Sequence, residues 1–191
     1  MAKSKNAGSR ALPVALQMLE ADHRKVEALF EEYEEQKDSG EEAKRPIAEK
    51  ICGELTAHAQ VEEEIFYPWL RESLSEEDME LVEEAEVEHA SAKDLIGQLE
   101  DARAVDETYD AKVKVLSEYI KHHVTEEEEE MFPKLRDFKE DLDELGQRMH
   151  ARKAELREAL GLAPDEEEEM PAGAMARRGK GASRGAQRGS R

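Results

Sequence analysis

Two histidine–glutamate pairs in this sequence have a spacing that suits metal chemistry. His58 is followed four residues later by Glu62, and His123 is followed four residues later by Glu127. Residues four apart lie one above the other on a helix face, so each pair can bind the same ion. Imidazole combined with carboxylate suits iron, manganese or zinc. The spacing therefore predicts two metal-chelating pairs.

The two pairs belong to a longer internal repeat. Residues 58–68 align with residues 123–133 at an offset of 65. An acid followed by a histidine precedes each of these segments, and the two dipeptides align at an offset of 66: Asp22-His23 and Glu88-His89. Each half of the repeat thus supplies two histidines and one glutamate. We expect two similar helix pairs to meet about a pseudo-twofold axis, with a two-metal site between them.

Helices are the elements that must position these residues. Few Gly and Pro, few β-branched runs and abundant Glu, Ala, Leu and Lys favour helix. Turn and capping residues divide the chain into helices over about 13–40, 43–68, 75–104, 107–133 and 141–160. We expect an all-α fold, an antiparallel up-down four-helix bundle with a short C-terminal helix and a disordered basic tail.

Each of the four long helices carries one histidine on its apolar stripe, and two of them also carry a glutamate there. Burying a charged carboxylate without a partner costs roughly several kcal/mol, so inward glutamates need compensation. The cost of burying four imidazoles and two carboxylates in one core is best offset when they surround a metal ion. His122 lies on the opposite face of its helix, and we expect it to be exposed. We expect the same of five further residues: Glu63, Glu64, Glu126, Glu128 and Glu129.

Composition limits the possible partners and the location of the protein. The 191 residues include 48 acidic and 28 basic side chains, a net charge of −20, which disfavours nucleic acid or an anionic membrane as partner of the body. No apolar run approaches the roughly 20 residues that span a bilayer, and no secretory signal is recognisable. A single cysteine, Cys52, fits a reducing compartment. We expect a cytoplasmic protein without a membrane partner.

The chain divides into four parts by composition. We predict a disordered N-terminus over residues 1–10, the bundle over 11–138, the C-terminal helix over 139–162, and an acidic linker with a disordered basic tail over 163–191. Residues 171–191 contain six basic and no acidic side chains. The tail is therefore the one segment from which we expect any contact with nucleic acid.

The four motifs together resemble the hemerythrin-like family, the HHE cation-binding domain, over about residues 11–135. The resemblance implies a four-helix bundle with a non-haem di-iron centre that binds or senses dioxygen, peroxide or NO, or handles iron; manganese and zinc fit less well. By this resemblance the iron ligands are His23, His58, Glu62, His89, His123 and Glu127. Invertebrate oxygen carriers of the family have a His-x-x-x-His pair in the third helix, but Lys93 stands where the second histidine would be. This departure implies an open coordination position and favours sensing, redox or iron-handling roles.

Other hypotheses stay open at this stage. One is an enzymatic activity at the same centre, either di-iron peroxidase- or catalase-like or a ferritin-like oxidase. The sequence favours a metal- and oxygen-binding protein over a dedicated enzyme. Ferritin-like centres use Glu-x-x-His pairs, and Glu20 and Glu86 would form such pairs with His23 and His89. Either glutamate could instead orient the imidazole of a metal-binding histidine without binding the metal itself. A third hypothesis is a helical interaction module whose buried histidines and glutamates pair without metal.

Overall fold

The computed structural model describes residues 12–164, and all regular structure in that range is helical, as the sequence predicts. The segments predicted at 1–10 and, for the most part, 163–191 lie outside the described residues. The elements in chain order are α1 (Val14–Glu35), α2 (Glu41–Val61), a π-helical turn (Glu62–Phe66), α3 (Tyr67–Ser73), a 3-10 turn (Glu76–Asp78), α4 (Met79–Glu100), α5 (Glu107–Glu126), a second π-helical turn (Glu127–Met131), a 3-10 turn (Phe132–Leu135) and α6 (Lys139–Ala159).

Several boundaries differ from those that the sequence predicts. The first helix ends at Glu35 rather than near residue 40. The second predicted helix continues past Pro68 to Ser73, because a π-helical turn precedes the proline. At 21 residues α6 is not short, because it has the same length as α2.

Apolar side chains form two clusters, and α1, α2 and α4 contribute to both. The first contains residues from the start of α1 and the end of α2, such as Leu16 and Val61. The second contains residues from the end of α1 and the start of α2, such as Leu29 and Ile51. α4 begins in the first cluster and ends in the second, whereas α5 contributes to the second cluster and the π-helical and 3-10 turns that follow it contribute to the first. The polar centre described below lies between the two clusters along each helix.

The last helix is held tightly against the first two. α6 packs on α1 and α2, and Gly146 lies at its closest approach to α1. A β-carbon at Gly146 would stand 2.6 Å from the backbone nitrogen of Ala15 and 2.9 Å from the carbonyl carbon of Val14, so only glycine fits there. The N–H of Val14 donates to Oδ1 of Asp143 at 2.9 Å, which satisfies one of the unpaired groups at the start of α1. α6 therefore has a fixed position on this pair of helices.

Among the described helices, none is both long and apolar enough to cross a membrane.

Candidate metal centre

The structure brings six of the predicted residues together in the middle of the molecule. All six are buried, and each lies on the helix segment that separates the two apolar clusters. The Nε2 atoms of the four imidazoles face the two carboxylates. The residues are His23, His58, Glu62, His89, His123 and Glu127.

Glu62 lies between one histidine from each half of the repeat. Its Oε2 atom is 3.1 Å from Nε2 of His58 and 3.3 Å from Nε2 of His89. A carboxylate placed in this way can be shared by two ions.

Glu127 lies between the other two histidines. Its Oε2 atom is 3.2 Å from Nε2 of His23, and its Oε1 atom is 3.8 Å from Nε2 of His123. The two carboxylates therefore have equivalent positions, in agreement with the pseudo-twofold arrangement that the sequence repeat predicts.

A widened helical turn begins at each of these two carboxylates. The π-helical turns Glu62–Phe66 and Glu127–Met131 are again 65 residues apart, and in each the N–H five residues on bonds to the carbonyl of the glutamate. The prolines that follow, Pro68 and Pro133, lack an N–H and would clash with the carbonyl four residues back in a regular helix, so a wider turn accommodates them. Such turns are frequent at functional sites because they redirect side chains.

Each histidine also contacts a carboxylate through its other ring nitrogen. An Nδ1–H that donates to a carboxylate leaves the lone pair of Nε2 directed inward, which is the tautomer a metal ion needs. We call Asp22, Glu63, Glu88 and Glu128 the outer carboxylates. The pairs are His23 with Glu128 at 2.8 Å, His58 with Asp22 at 3.3 Å, His89 with Glu63 at 3.1 Å and His123 with Glu88 at 2.8 Å.

Two of the outer carboxylates correct expectations from the sequence. Glu63 and Glu128 were expected to be solvated, but both are half-buried and contact histidines. The 65-residue offset relates them to each other, and this was the signal that could have identified them. The alternatives on the preceding turn do not take this role: Glu86 pairs with Arg71 at 2.6 Å, and Glu20 belongs to no metal-holding group of the described residues.

Opposite charges overcome the cost of burial in the centre. Burial opposes the charge of Glu62, but His58 and His89 hold the pKa of its carboxyl well below the usual value. Burial likewise opposes the charge of His58, yet Glu62 and Asp22 raise the pKa of this imidazole well above its usual value. Without a metal ion, protons on the imidazoles therefore balance the buried carboxylates. A bound cation would replace those protons.

Several buried atoms at the centre lie at ion-pair distance from one another but make no hydrogen bond of suitable geometry. These are both carboxylate oxygens of Glu62, Oε2 of Glu127 and Nε2 of His23. Unsatisfied buried polar groups are costly and rare, so their convergence on one point indicates a missing partner. Nitrogen and carboxylate donors in this number fit a pair of first-row transition metal ions.

The possible ligand atoms of the centre form two overlapping groups, in each of which they lie within 4.8 Å of one another; a third group, Glu88, His122 and Glu126, lies nearer the surface. We call the first the four-ligand position and the second the three-ligand position. The four-ligand position contains His23, His58, Glu62 and Glu127, and the three-ligand position contains Glu62, His89 and His123.

A small cavity adjoins the four histidines. The space open to the centre of a water-sized sphere is about 20 Å³, and roughly 10–15 Å³ is enough for one water molecule. The cavity therefore suits a ligand the size of water or a diatomic molecule. Its other walls are mainly apolar and include Val26, Leu55, Ala92, Ile96 and Ile120.

Comparison with known proteins agrees with this geometry. The family model described as Hemerythrin HHE cation binding domain matches residues 14–135. The chain belongs to this family. The chain is also 28% identical over 149 residues to a DNA nickase from Nostoc sp. (strain PCC 7120), a match that covers 75% of this chain and 40% of the nickase. The chain thus spans less than half the length of that relative. No solved structure matches the chain.

The HHE domain has Lys93 at the position where the sequence resemblance places the second histidine of the oxygen carriers. Nζ of Lys93 donates to Oε1 of Glu63 at 2.6 Å, and its side chain lines the small cavity. Lys93 therefore supports the outer carboxylate of His89 and adds no ligand to the three-ligand position.

Tyr67 is a further residue of the HHE domain whose role the sequence did not reveal. Its fully buried hydroxyl is 3.3 Å from Nε2 of His89 and donates to Oε1 of Glu127 at 3.3 Å. Burial, together with the charges of Glu62 and Glu127, raises the pKa of the phenol well above its usual value, so the hydroxyl keeps its proton. At an offset of 65 the other half of the repeat has Phe132, so a hydroxyl enters the centre from one half alone.

Proposed function

We propose that the HHE domain binds two iron ions and uses them to bind or sense dioxygen, peroxide or NO, or to handle iron. The proposed ligands are His23, His58, Glu62, His89, His123 and Glu127. The observation that carries the proposal is the set of buried atoms without hydrogen bonds, which converge on a point faced by four oriented imidazoles.

The surrounding scaffold in this proposal is an antiparallel up-down four-helix bundle over residues 11–138. The order of the apolar clusters supports it. α1 begins in the first cluster and ends in the second, whereas α2 does the reverse. α4 repeats the order of α1, and α5 together with the turns that follow it repeats the order of α2. Successive long helices that run in opposite directions produce this order.

Iron is proposed rather than zinc because two buried carboxylates, of which Glu62 belongs to both positions, and several imidazoles suit octahedral, redox-active ions. Bound iron would supply electrons for exchange with a small ligand. The chain orients the imidazoles through the outer carboxylates and excludes large molecules by the size of the cavity. The hydroxyl of Tyr67 places a proton donor beside Glu127 and His89.

Metal analysis tests the proposal. Protein loaded anaerobically with ferrous iron and then desalted is expected to contain about two iron ions per chain, and air is expected to produce near-ultraviolet charge-transfer absorption. Protein that retains only zinc, or no metal after loading, would contradict the proposal. Equal thermal stability with and without bound metal would favour an interaction module instead, because a native-state ligand must stabilise the fold.

A second candidate is turnover of peroxide, or a ferritin-like oxidase reaction, at the same centre. The three-ligand position and the nearby hydroxyl of Tyr67 favour it, because a centre with fewer protein ligands leaves room for a reacting molecule. Hydrogen peroxide added to the iron-loaded protein distinguishes the two candidates. Many turnovers per centre indicate an enzyme, whereas consumption equal to the amount of protein indicates a binding or sensing role.

The activity for which the Nostoc relative is named is not part of this proposal. The match covers 40% of that protein, and a net charge of −20 opposes the approach of a phosphodiester backbone.

A further inference from the structure

The last helix reaches the metal centre through a buried lysine. Nζ of Lys153, on α6, donates to Oδ1 of Asp22 at 2.6 Å, and Oδ2 of Asp22 is 3.3 Å from Nδ1 of His58. All three residues are buried. A continuous polar chain therefore runs from α6 to an imidazole of the four-ligand position. α6 lies beyond residues 14–135, the part of the chain that matches the family.

Each of the four outer carboxylates also contacts a basic side chain, but these partners differ in exposure. The partners of Glu128, Glu63 and Glu88 are exposed side chains, whereas the partner of Asp22 is buried. The exposed fractions of the four side chains are 55% for Arg24, 44% for Lys93, 62% for His122 and 5% for Lys153.

Exposure determines how firmly a cation can hold a carboxylate. Water and salt screen an exposed ion pair, and its side chains remain mobile, so such pairs contribute little. A buried pair is screened much less, and loss of one member leaves the other charge unpaired. Lys153 therefore restrains Asp22 more strongly than His122 restrains Glu88, which is the corresponding residue of the other half.

We propose that Lys153 is a positioning residue of the metal centre. By holding the carboxylate of Asp22 it fixes the ring of His58, and it thereby strengthens binding of the ion at the four-ligand position selectively. This inference rests on the proposed function, because it requires two bound ions.

The same helix provides a matched control. Arg157 lies one turn after Lys153, is also buried, and forms an ion pair with buried Glu54. Lys25 also contacts Glu54, with its Nζ atom 2.9 Å from Oε1. Glu54 belongs to none of the metal-holding groups among residues 12–164. Substitution of Arg157 therefore removes a buried cation of α6 without disturbing a histidine of the centre.

The experiment compares Lys153→Met with Arg157→Met in the full chain by anaerobic titration with Co²⁺, followed by visible absorption. Loss of an outer partner of a metal-binding histidine typically weakens metal affinity by about 10–100-fold. In Lys153→Met we expect the affinity for the first equivalent of Co²⁺, the ion at the four-ligand position, to fall by this factor. We expect the affinity for the second equivalent to change by less than about threefold. We expect Arg157→Met to bind both equivalents like the unsubstituted chain. Thermal unfolding of both variants in chelator controls for a general loss of stability.

A double-mutant cycle then tests whether Lys153 acts through Asp22. Asp22→Asn is expected to weaken binding of the first equivalent of Co²⁺. Adding Lys153→Met to this variant is expected to weaken that binding little further, since the two residues share one interaction. Lys153→Gln, which keeps a polar donor, serves as the second variant if Lys153→Met does not fold.

The possible results separate this inference from the proposed function. Equal effects of the Lys153 and Arg157 substitutions, or equal weakening of both equivalents by Lys153→Met, would overturn the role of Lys153 alone. Failure of the unsubstituted chain to bind two ions would instead contradict the two-ion centre on which the inference rests.

Discussion

The two halves of the metal centre contain the same ligand types in different surroundings. α1 and α2 contribute His23 and His58, and α4 and α5 contribute His89 and His123. α6 covers the first half. In the second half the corresponding surface is open among residues 12–164, and it includes a side chain that is 49% exposed, Tyr119.

Single positions show how this difference arises. The offset of 65 pairs Tyr119 with Glu54, which is buried and forms an ion pair with Arg157 of α6. The same offset pairs exposed His122 with Ala57, which is buried completely. The repeat therefore specifies the proposed ligands, and we expect the helix after the repeat to determine how firmly each half is supported.

The largest effect is expected at a carboxylate that belongs to both halves. Glu62→Gln keeps the shape of the side chain but removes the charge shared by His58 and His89. We expect loss of both metal ions, a greater effect than the roughly 10–100-fold weakening caused by an outer partner. Metal analysis after iron loading measures it.

Glu64→Gln is the matched control for this substitution, because Glu64 is an exposed neighbour that pairs with Arg152 at 2.7 Å. It is expected to retain both ions. If Glu62→Gln lost one ion and kept the other, Glu62 would bind only one of the two ions, and the prediction that both ions share this carboxylate would be wrong.

The dependence of stability on pH is the next largest effect. The raised pKa values of His23, His58 and His123 stabilise the metal-free fold fully below pH 6.5, the usual pKa of histidine, and this stabilisation disappears as pH rises through the raised values. The lowered pKa of Glu62 adds stabilisation that is complete above pH 4.5 and disappears as pH falls through the lowered value. These groups therefore stabilise the metal-free protein most between pH 4.5 and 6.5.

Thermal unfolding at a series of pH values, with chelator and with metal, measures this dependence. Since metal replaces protons on the imidazoles, the stabilisation by metal is expected to increase as pH rises above 6.5. Stabilisation by metal that is constant across this range would show that the imidazoles release no protons when the ion binds.

A smaller effect is expected where α6 docks on the first half. A methyl group at Gly146 would meet the backbone of α1 within 3 Å, and overpacking of this kind costs about 1–3 kcal/mol. Gly146→Ala is expected to lower the free energy of unfolding in urea by this amount and to weaken the first equivalent of metal more than the second. Gly97→Ala, in α4, is the control, because no atom lies within 4 Å of its added carbon; it is expected to stabilise the protein by about 0.5–1 kcal/mol. Equal weakening of both equivalents by Gly146→Ala would show that α6 supports the two halves alike.

Sequence periodicity predicted which histidines and glutamates face inward, because a buried stripe on a helix has a period that can be read directly. It did not predict the partners of those histidines, because these depend on how helices pack side by side. Lys153 and Asp22 are 131 residues apart, and no local pattern relates them. Tyr67 was missed for a similar reason, since its hydroxyl contacts residues of α4 and of the second π-helical turn.

The smallest effect is expected at the outermost residue of the second half. Nε2 of His122 is 3.6 Å from Glu88, and its side chain is 62% exposed, so the pair is worth about 0.2–1 kcal/mol at most. After His122→Ala, Nδ1 of His123 still has its 2.8 Å contact with Glu88. The variant is therefore expected to bind the second equivalent of Co²⁺ no more than about fivefold more weakly, since 1 kcal/mol corresponds to that factor. A loss as large as that expected for Lys153→Met would show that an exposed partner supports its half as firmly as a buried one, and the difference between the two halves would then lie in the number of ligands alone.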